Sequence, residues 1–147
     1  MSYQSCRDAA VTQLRSVAGF GAVNVTAGDW SFLNSGPDRG IVVMFDRMEH
    51  RRSGMGRREI DWVLQLHLVE KLLPNAQAAE IVFATDIQAI IDRIDAYPRL
   101  NAAAGVLDAH LMEASDTGED ITFGSTRYVH YGLILKITEE GSAGYLE

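Results

Sequence analysis

Apolar side chains recur along this chain at two spacings, and the spacings lay out a fold. Over residues 3–17, Tyr3, Cys6, Ala10, Leu14 and Val17 share one helical face while Arg7, Gln13 and Arg15 lie largely elsewhere. This predicts an amphipathic helix capped by Ser2 or Ser5 and stopped at Gly19 or Gly21. Alternation at Val23 and Val25 predicts a short strand over 22–26. Residues 28–40 carry turn chemistry, Asn34-Ser35-Gly36-Pro37-Asp38, around Trp30 and Phe32, which are expected to anchor the loop to the core.

The longest alternating stretch is 41–73. It opens with Ile41-Val42-Val43-Met44-Phe45, passes through Arg51-Arg52-Ser53-Gly54-Met55-Gly56-Arg57-Arg58, and returns through Ile60, Trp62, Leu64, Leu66 and Leu68 on one face and Asp61, Val63, Gln65, His67 and Val69 on the other. This predicts a long β-hairpin that projects from the body, with one core face and one mixed face. After Pro74-Asn75, the spacing of Phe83, Ile87, Ile90, Ile91, Ile94 and Tyr97 predicts a helix over 76–96, with Glu80, Asp86, Asp92, Arg93 and Asp95 mostly outward and Pro98 closing it. A strand over 105–114, an acidic turn over 115–120 and an alternating strand over 127–138 follow, and 139–147 reads as a flexible tail. Antiparallel strands with two helices on one face make an α+β fold, a single two-layer domain over 1–147.

Composition sharpens this picture in three places. At 147 residues and 47% hydrophobic, the chain is expected to fold around one core. The single cysteine, Cys6, excludes an intrachain disulfide and a cysteine-rich zinc site. No stretch approaches the length of a spanning helix, and the first eight residues lack a basic segment followed by an apolar run, so no membrane segment and no secretion signal are expected. The net charge of −7 is unevenly spread: residues 1–78 hold nine Lys/Arg against eight Asp/Glu, and residues 79–147 hold four against twelve. A basic tip and an acidic flank let copies of one molecule attract each other head to tail, the arrangement that closes rings.

Candidate chemistry is sparse. His50, His67, His110 and His130 have no ligand-type spacing, and strand histidines facing solvent or a partner explain them. Gly54-Met55-Gly56-Arg57-Arg58-Glu59 has Glu59 where a dinucleotide loop needs its third glycine, and a strand follows where a helix is required. The acid pairs Asp92/Asp95 and Glu119/Asp120 fit a solvated helix face and an exposed turn. The arginine tip carries most information. Arg47, Arg51, Arg52, Arg57 and Arg58 are all arginine, which suits bidentate pairing with carboxylates across a protein interface. A nucleic-acid-binding module using the same tip is the alternative, opposed by the acid excess and by the lack of interleaved aromatics. With Met55 at the tip and the apolar pair Tyr145-Leu146 in the tail, these arginines form the expected subunit or partner interface.

The element order, together with Ile87-Gln88-Ala89-Ile90-Ile91-Asp92-Arg93-Ile94, Tyr97-Pro98-Arg99-Leu100 and the closing strand Tyr128-Val129-His130-Tyr131-Gly132-Leu133-Ile134-Leu135-Lys136-Ile137, resembles the tail terminator proteins (minor tail protein U-like, tail completion) of long-tailed bacteriophages. The resemblance covers most of the chain. It implies a structural virion protein at the head-proximal end of the tail, assembled in the host cytoplasm as a homo-oligomeric ring, usually a hexamer. Such a ring caps the tail tube protein, stops its polymerisation and meets the head completion proteins. DNA passes through the lumen without sequence-specific binding. The resemblance implies no catalytic residue, no cofactor and no metal. A head-tail connector or a tail tube subunit is the neighbouring alternative.

Overall fold

The computed structural model describes residues 3–21, 23–52, 57–71, 76–100, 106–123 and 125–142. Helix α1 spans Tyr3–Arg15, strand β1 Val25–Ala27, a single 3₁₀ turn Ser31–Ser35, β2 Arg39–Arg52, β3 Arg57–Lys71, α2 Ala76–Ala96, β4 Val106–Phe123 and β5 Thr126–Ser142. The five strands form one sheet in the order β1-β2-β3-β5-β4, with β1 parallel to β2 and all other pairs antiparallel. Both α-helices pack on one face, so the chain is an α+β single domain in two layers.

The predicted hairpin is β2 and β3, but it does not stand away from the body. β3 is the central strand, paired with β2 from Arg58 to Glu70 and with β5 from Arg57 to Lys71. Because β5 runs as far as Ser142, opposite Arg57, the hairpin end is the end of a three-strand ladder. Residues 139–142, assigned above to the tail, are therefore the last rungs of β5, and Glu139 is buried. Residues 143–147 lie outside the described residues.

The core follows from the two spacings. Cys6, Ala10, Val11 and Leu14 of α1, and Ile90 and Ile94 of α2, cover Ile41, Val43, Leu64, Leu66, Leu68, Leu133, Leu135 and Ile137 on the sheet. Each fully buried Leu or Ile contributes ~1.5–3 kcal/mol relative to exposure. Two polar residues placed outward above are in fact buried: Gln13, whose Oε1 accepts from Arg93 Nε at 3.1 Å and ties the helices together, and Asp86. Asp86 lies three residues after Phe83 and four before Ile90, and therefore shares their face.

The opposite face of the sheet is not simply mixed. The 3₁₀ turn covers one end of it, where Leu33, Val69 and Tyr128 are buried with Trp30, Phe32 and Ile121 around them. Tyr128 donates its hydroxyl to Pro37 O at 2.9 Å. Gly36, at φ +69°, supplies the left-handed residue that closes the turn by donating its N–H to Leu33 O. Gly40 lets the turn approach β2, since a Cβ there would sit 2.4 Å from the Phe32 ring.

The expected acidic turn over 115–120 is instead part of β4. That strand continues to Phe123 and pairs with β5 through register shifts between Met112 and Asp116 and between Thr117 and Glu119. Such irregularities absorb residues with little intrinsic strand preference, while the alternating β5 supplies a continuous partner.

Candidate interface surfaces

A register shift between Phe45 and Arg47 divides β2. Beyond it, Arg47, Glu49 and Arg51 oppose Val63, Asp61 and Glu59 and share the face away from the helices. A charged network fills this end of the sheet. Asp61 is fully buried; it accepts from Thr138 Oγ1 at 2.7 Å, lies 3.4 Å from Lys136 Nζ, and takes a short contact from Arg51 Nη1. Burial alone would raise the Asp61 carboxyl, but the hydrogen bonds from Thr138 and Arg51 and the charges of Lys136 and Arg51 outweigh it and hold the group below the usual carboxylate range.

This network decides which predicted interface arginines can meet a partner. Arg51 also donates to Glu59 at 2.7 Å, and Arg47 is held by Asp46 at 2.6 Å and Glu49 at 3.2 Å, so both are engaged within the sheet. Arg52 and Arg58 are exposed and lie opposite each other as cross-strand neighbours. Arg57 pairs through its backbone with Ser142. Its side chain, Met55, Tyr145 and Leu146 lie outside the described residues.

Sequence reasoning did not single out the apolar side chains of β2 beyond its pairing with β1, and of the edge strand β4. Of seven large apolar residues more than a third exposed among those described, Met44, Phe45 and Met48 are in β2, and Leu107 and Met112 are in β4. β1 pairs only with Ile41–Val43, so the outer edge of β2 from Met44 onward has no described strand beside it, and β4 pairs with β5 alone. Phe45 rests edge-on against Tyr3, centroids 5.1 Å apart, and Tyr3 in turn meets Trp62 at 5.8 Å. Met44 and Met112 are joined across the open face by the register Met44–Gln65–Ile134–Met112. The available signal was Met and Phe continuing an apolar run into a charged segment.

A second polar cluster lies at the other end of the sheet, under α2. Arg39 Nη1 binds both oxygens of Asp86, at 2.7 and 2.9 Å. The buried carboxyl of Glu70 is pushed up to about 9, first by burial and then by its hydrogen bond to Asp86 and the charge there, against the pull of Arg39. At neutral pH the Glu70 carboxyl is therefore a neutral acid. Glu70 Oε1 has no hydrogen-bond partner. A cavity of about 240 Å³ adjoins it, lined by Asp38, Arg39, Glu70, Lys71, Val82, Phe83 and Val129. Glu70 was legible as a carboxylate in phase with Ile60 through Leu68; its partners were not.

The histidines divide. His67 Nδ1 and His130 Nε2 are 2.7 Å apart, and His67 Nε2 meets Gln65 Oε1 at 3.0 Å, while the His67 ring lies against Trp30. His50 is exposed on β2, and His110 pairs with Asp108 on β4. Among the described residues no three His, Cys, Asp or Glu side chains are arranged to hold a metal ion. Cys6 donates to Glu139 Oε2 at 3.7 Å, and burial, reinforced by the Glu139 charge, pushes its thiol up to about 12. Among the described residues no helix is long and apolar enough to cross a membrane.

No family model matches the chain, and no curated protein matches it. One solved structure, whose title is a sequence identifier, aligns over 100% of this chain and 99% of its own at 17% identity with a TM-score of 0.46, a likeness that carries no argument about fold or function.

Proposed function

We propose that this chain is a structural subunit that assembles head to tail into a closed ring, in the role of a phage tail terminator at the head-proximal end of the tail. One observation carries the assembly reading: the exposed large apolar side chains sit mainly on the two strands at opposite sides of the sheet, each with an open edge. An exposed apolar edge invites strand pairing, and two different edges on one molecule make a heterologous contact, which a suitable rotation closes into a ring. The acidic sequence of β4 and the exposed Arg58 at the tip end of β3 complement each other in that arrangement. The terminator role itself rests on the resemblance in element order. In that role the ring meets tube protein on one side and head completion proteins on the other, and does no chemistry.

Native mass spectrometry and electron microscopy test this, with and without purified tube protein. The wild type is expected as a ring, alone or on tube addition, and to halt tube growth. Phe45→Glu and Leu107→Glu are each expected to yield monomers with unchanged circular dichroism. A wild type that stays monomeric and ignores tube protein overturns the proposal, and one that polymerises into long tubes reassigns it to a tube subunit.

A further inference from the structure

On the β1 side of the sheet, strand could be added at two places: along β1 itself, and along β2 beyond Val43. The first is closed by a side chain. Asn24 O accepts the Ile41 N–H at 2.8 Å, so alternation turns Val25 O away from β2, and there Arg15 Nε and Nη2 donate to it at 3.2 and 3.0 Å. Addition on this side is thereby directed to β2.

One row across the sheet relates that stretch to the outer edge of β4. The Ile41 N–H and Val43 O both bond toward β1, so alternation turns the backbone groups of Phe45 to the same side, away from β3. Phe45 is thus the non-hydrogen-bonded partner of Leu64; Leu64 then bonds Leu135, and Leu135 leaves Leu111 to turn its own N–H and C=O outward from β4. Among the described residues no backbone hydrogen bond reaches Phe45 or Leu111 from outside. Both side chains lie on the helix-covered face, Phe45 against Tyr3 and Leu111 against the core. The adjacent row, Met44–Gln65–Ile134–Met112, ends in an exposed methionine on each side of the other face.

Strand sense agrees with this matching. Antiparallel pairings of β2 with β3, β3 with β5 and β5 with β4 leave β2 and β4 running in opposite directions. A ring axis along the strands preserves direction from copy to copy, so β4 of one copy meets β2 of the next antiparallel. Below that contact β1 occupies the side of β2 at Ile41–Val43, and β4 departs from regular register just past Met112, toward Asp116. On the ring reading, which this pairing presupposes, we propose that copies join by antiparallel pairing of β2 with β4 of the next copy. Phe45 exchanges backbone hydrogen bonds with Leu111 across the contact, Met44 lies beside Met112, and the sheet runs unbroken from copy to copy.

Met44→Cys combined with Met112→Cys in the full chain tests the register. Opposite residues of a non-hydrogen-bonded pair hold their Cβ atoms ~4.5–5.5 Å apart, near disulfide range, whereas within one copy the two positions are three strand spacings, ~14 Å, apart. Mild oxidation should give a ladder of covalent oligomers on a non-reducing gel, about tenfold stronger than from Met44→Cys with His110→Cys, which is displaced along the same face. Either single variant should give no ladder. Hydrogen–deuterium exchange of the wild type needs no substitution at the contact: residues 44–48 and 107–112 should both slow about tenfold in the ring relative to monomeric Leu107→Glu. A ring without slowing at both stretches, or an equal ladder from the displaced pair, overturns the pairing and leaves the ring reading standing. A wild type that is monomeric alone and with tube protein removes both. Slowing at 44–48 alone, and only with tube protein present, gives that edge to the tube protein and also overturns the pairing.

Discussion

Glu70→Gln should flatten the dependence of folding stability on pH. In the native protein the Glu70 carboxyl stays protonated up to about 9, whereas its ordinary value is 4.5. Between those limits the unfolded chain has released a proton that the folded chain keeps. Folding therefore takes up one proton, and stability falls as pH rises, by up to ~1.4 kcal/mol per pH unit. From about pH 6 to about pH 8 this amounts to ~2.7 kcal/mol. In Glu70→Gln the amide nitrogen can donate to Asp86 in place of the carboxyl proton, the Arg39 pair is preserved and position 70 no longer titrates. Urea unfolding followed by fluorescence of Trp30 and Trp62, at several pH values in that window, gives the difference between the two proteins. The wild type should lose ~2.7 kcal/mol relative to the variant between the two ends, while other titrating groups cancel. A difference that stays constant with pH would mean that Glu70 is ionised in the native state and that the neutral-acid reading is wrong.

Four further outcomes follow from the packing. Gly40→Ala places a methyl group against the Phe32 ring and should cost ~1–3 kcal/mol in chemical unfolding, with much of the loss recovered when Phe32→Ala is added. Tyr128→Phe removes the hydroxyl that satisfies Pro37 O in a buried site and should destabilise by ~1 kcal/mol. Arg51→Ala should destabilise by ~2 kcal/mol because the buried Asp61 loses a charged donor, whereas Arg58→Ala should leave the melting temperature nearly unchanged while weakening assembly. Equal melting of the two variants would contradict the division of the tip into framework and surface. Cys6 should resist thiol reagents near neutral pH in the folded protein and react after unfolding, because its thiol is buried and pushed up to about 12.

The local pattern of the chain was enough for α2, whose bounds Ala76–Ala96 follow from apolar spacing and Pro98, and for β3, whose alternation survives intact. It was also enough for the fold class, because side-chain period reports which side of each element is apolar, and two amphipathic helices beside alternating strands have few ways to bury those sides. The pattern could not place β3 at the centre of the sheet. A strand whose second face carries Asp61, Gln65 and His67 reads as half exposed; pairing with β5 makes it central, and the 3₁₀ turn covers one end of that face. For the same reason the acidic segment after Met112 read as a turn: its strand state comes from a partner outside any local window.

The candidate sites divide the same way. The sequence by itself determined an excess of arginine at one hairpin end and a carboxylate, Glu70, in phase with an apolar strand face. The tertiary structure decided what they mean. It brought Asp86, 47 residues from Arg39 in sequence, into the same buried cluster as Glu70, and it set Arg51 against Asp61 while leaving Arg52 and Arg58 exposed. Charge state and accessibility depend on neighbours in space, so burial and long-range pairing fix them; periodicity along the chain fixes only which side each residue faces.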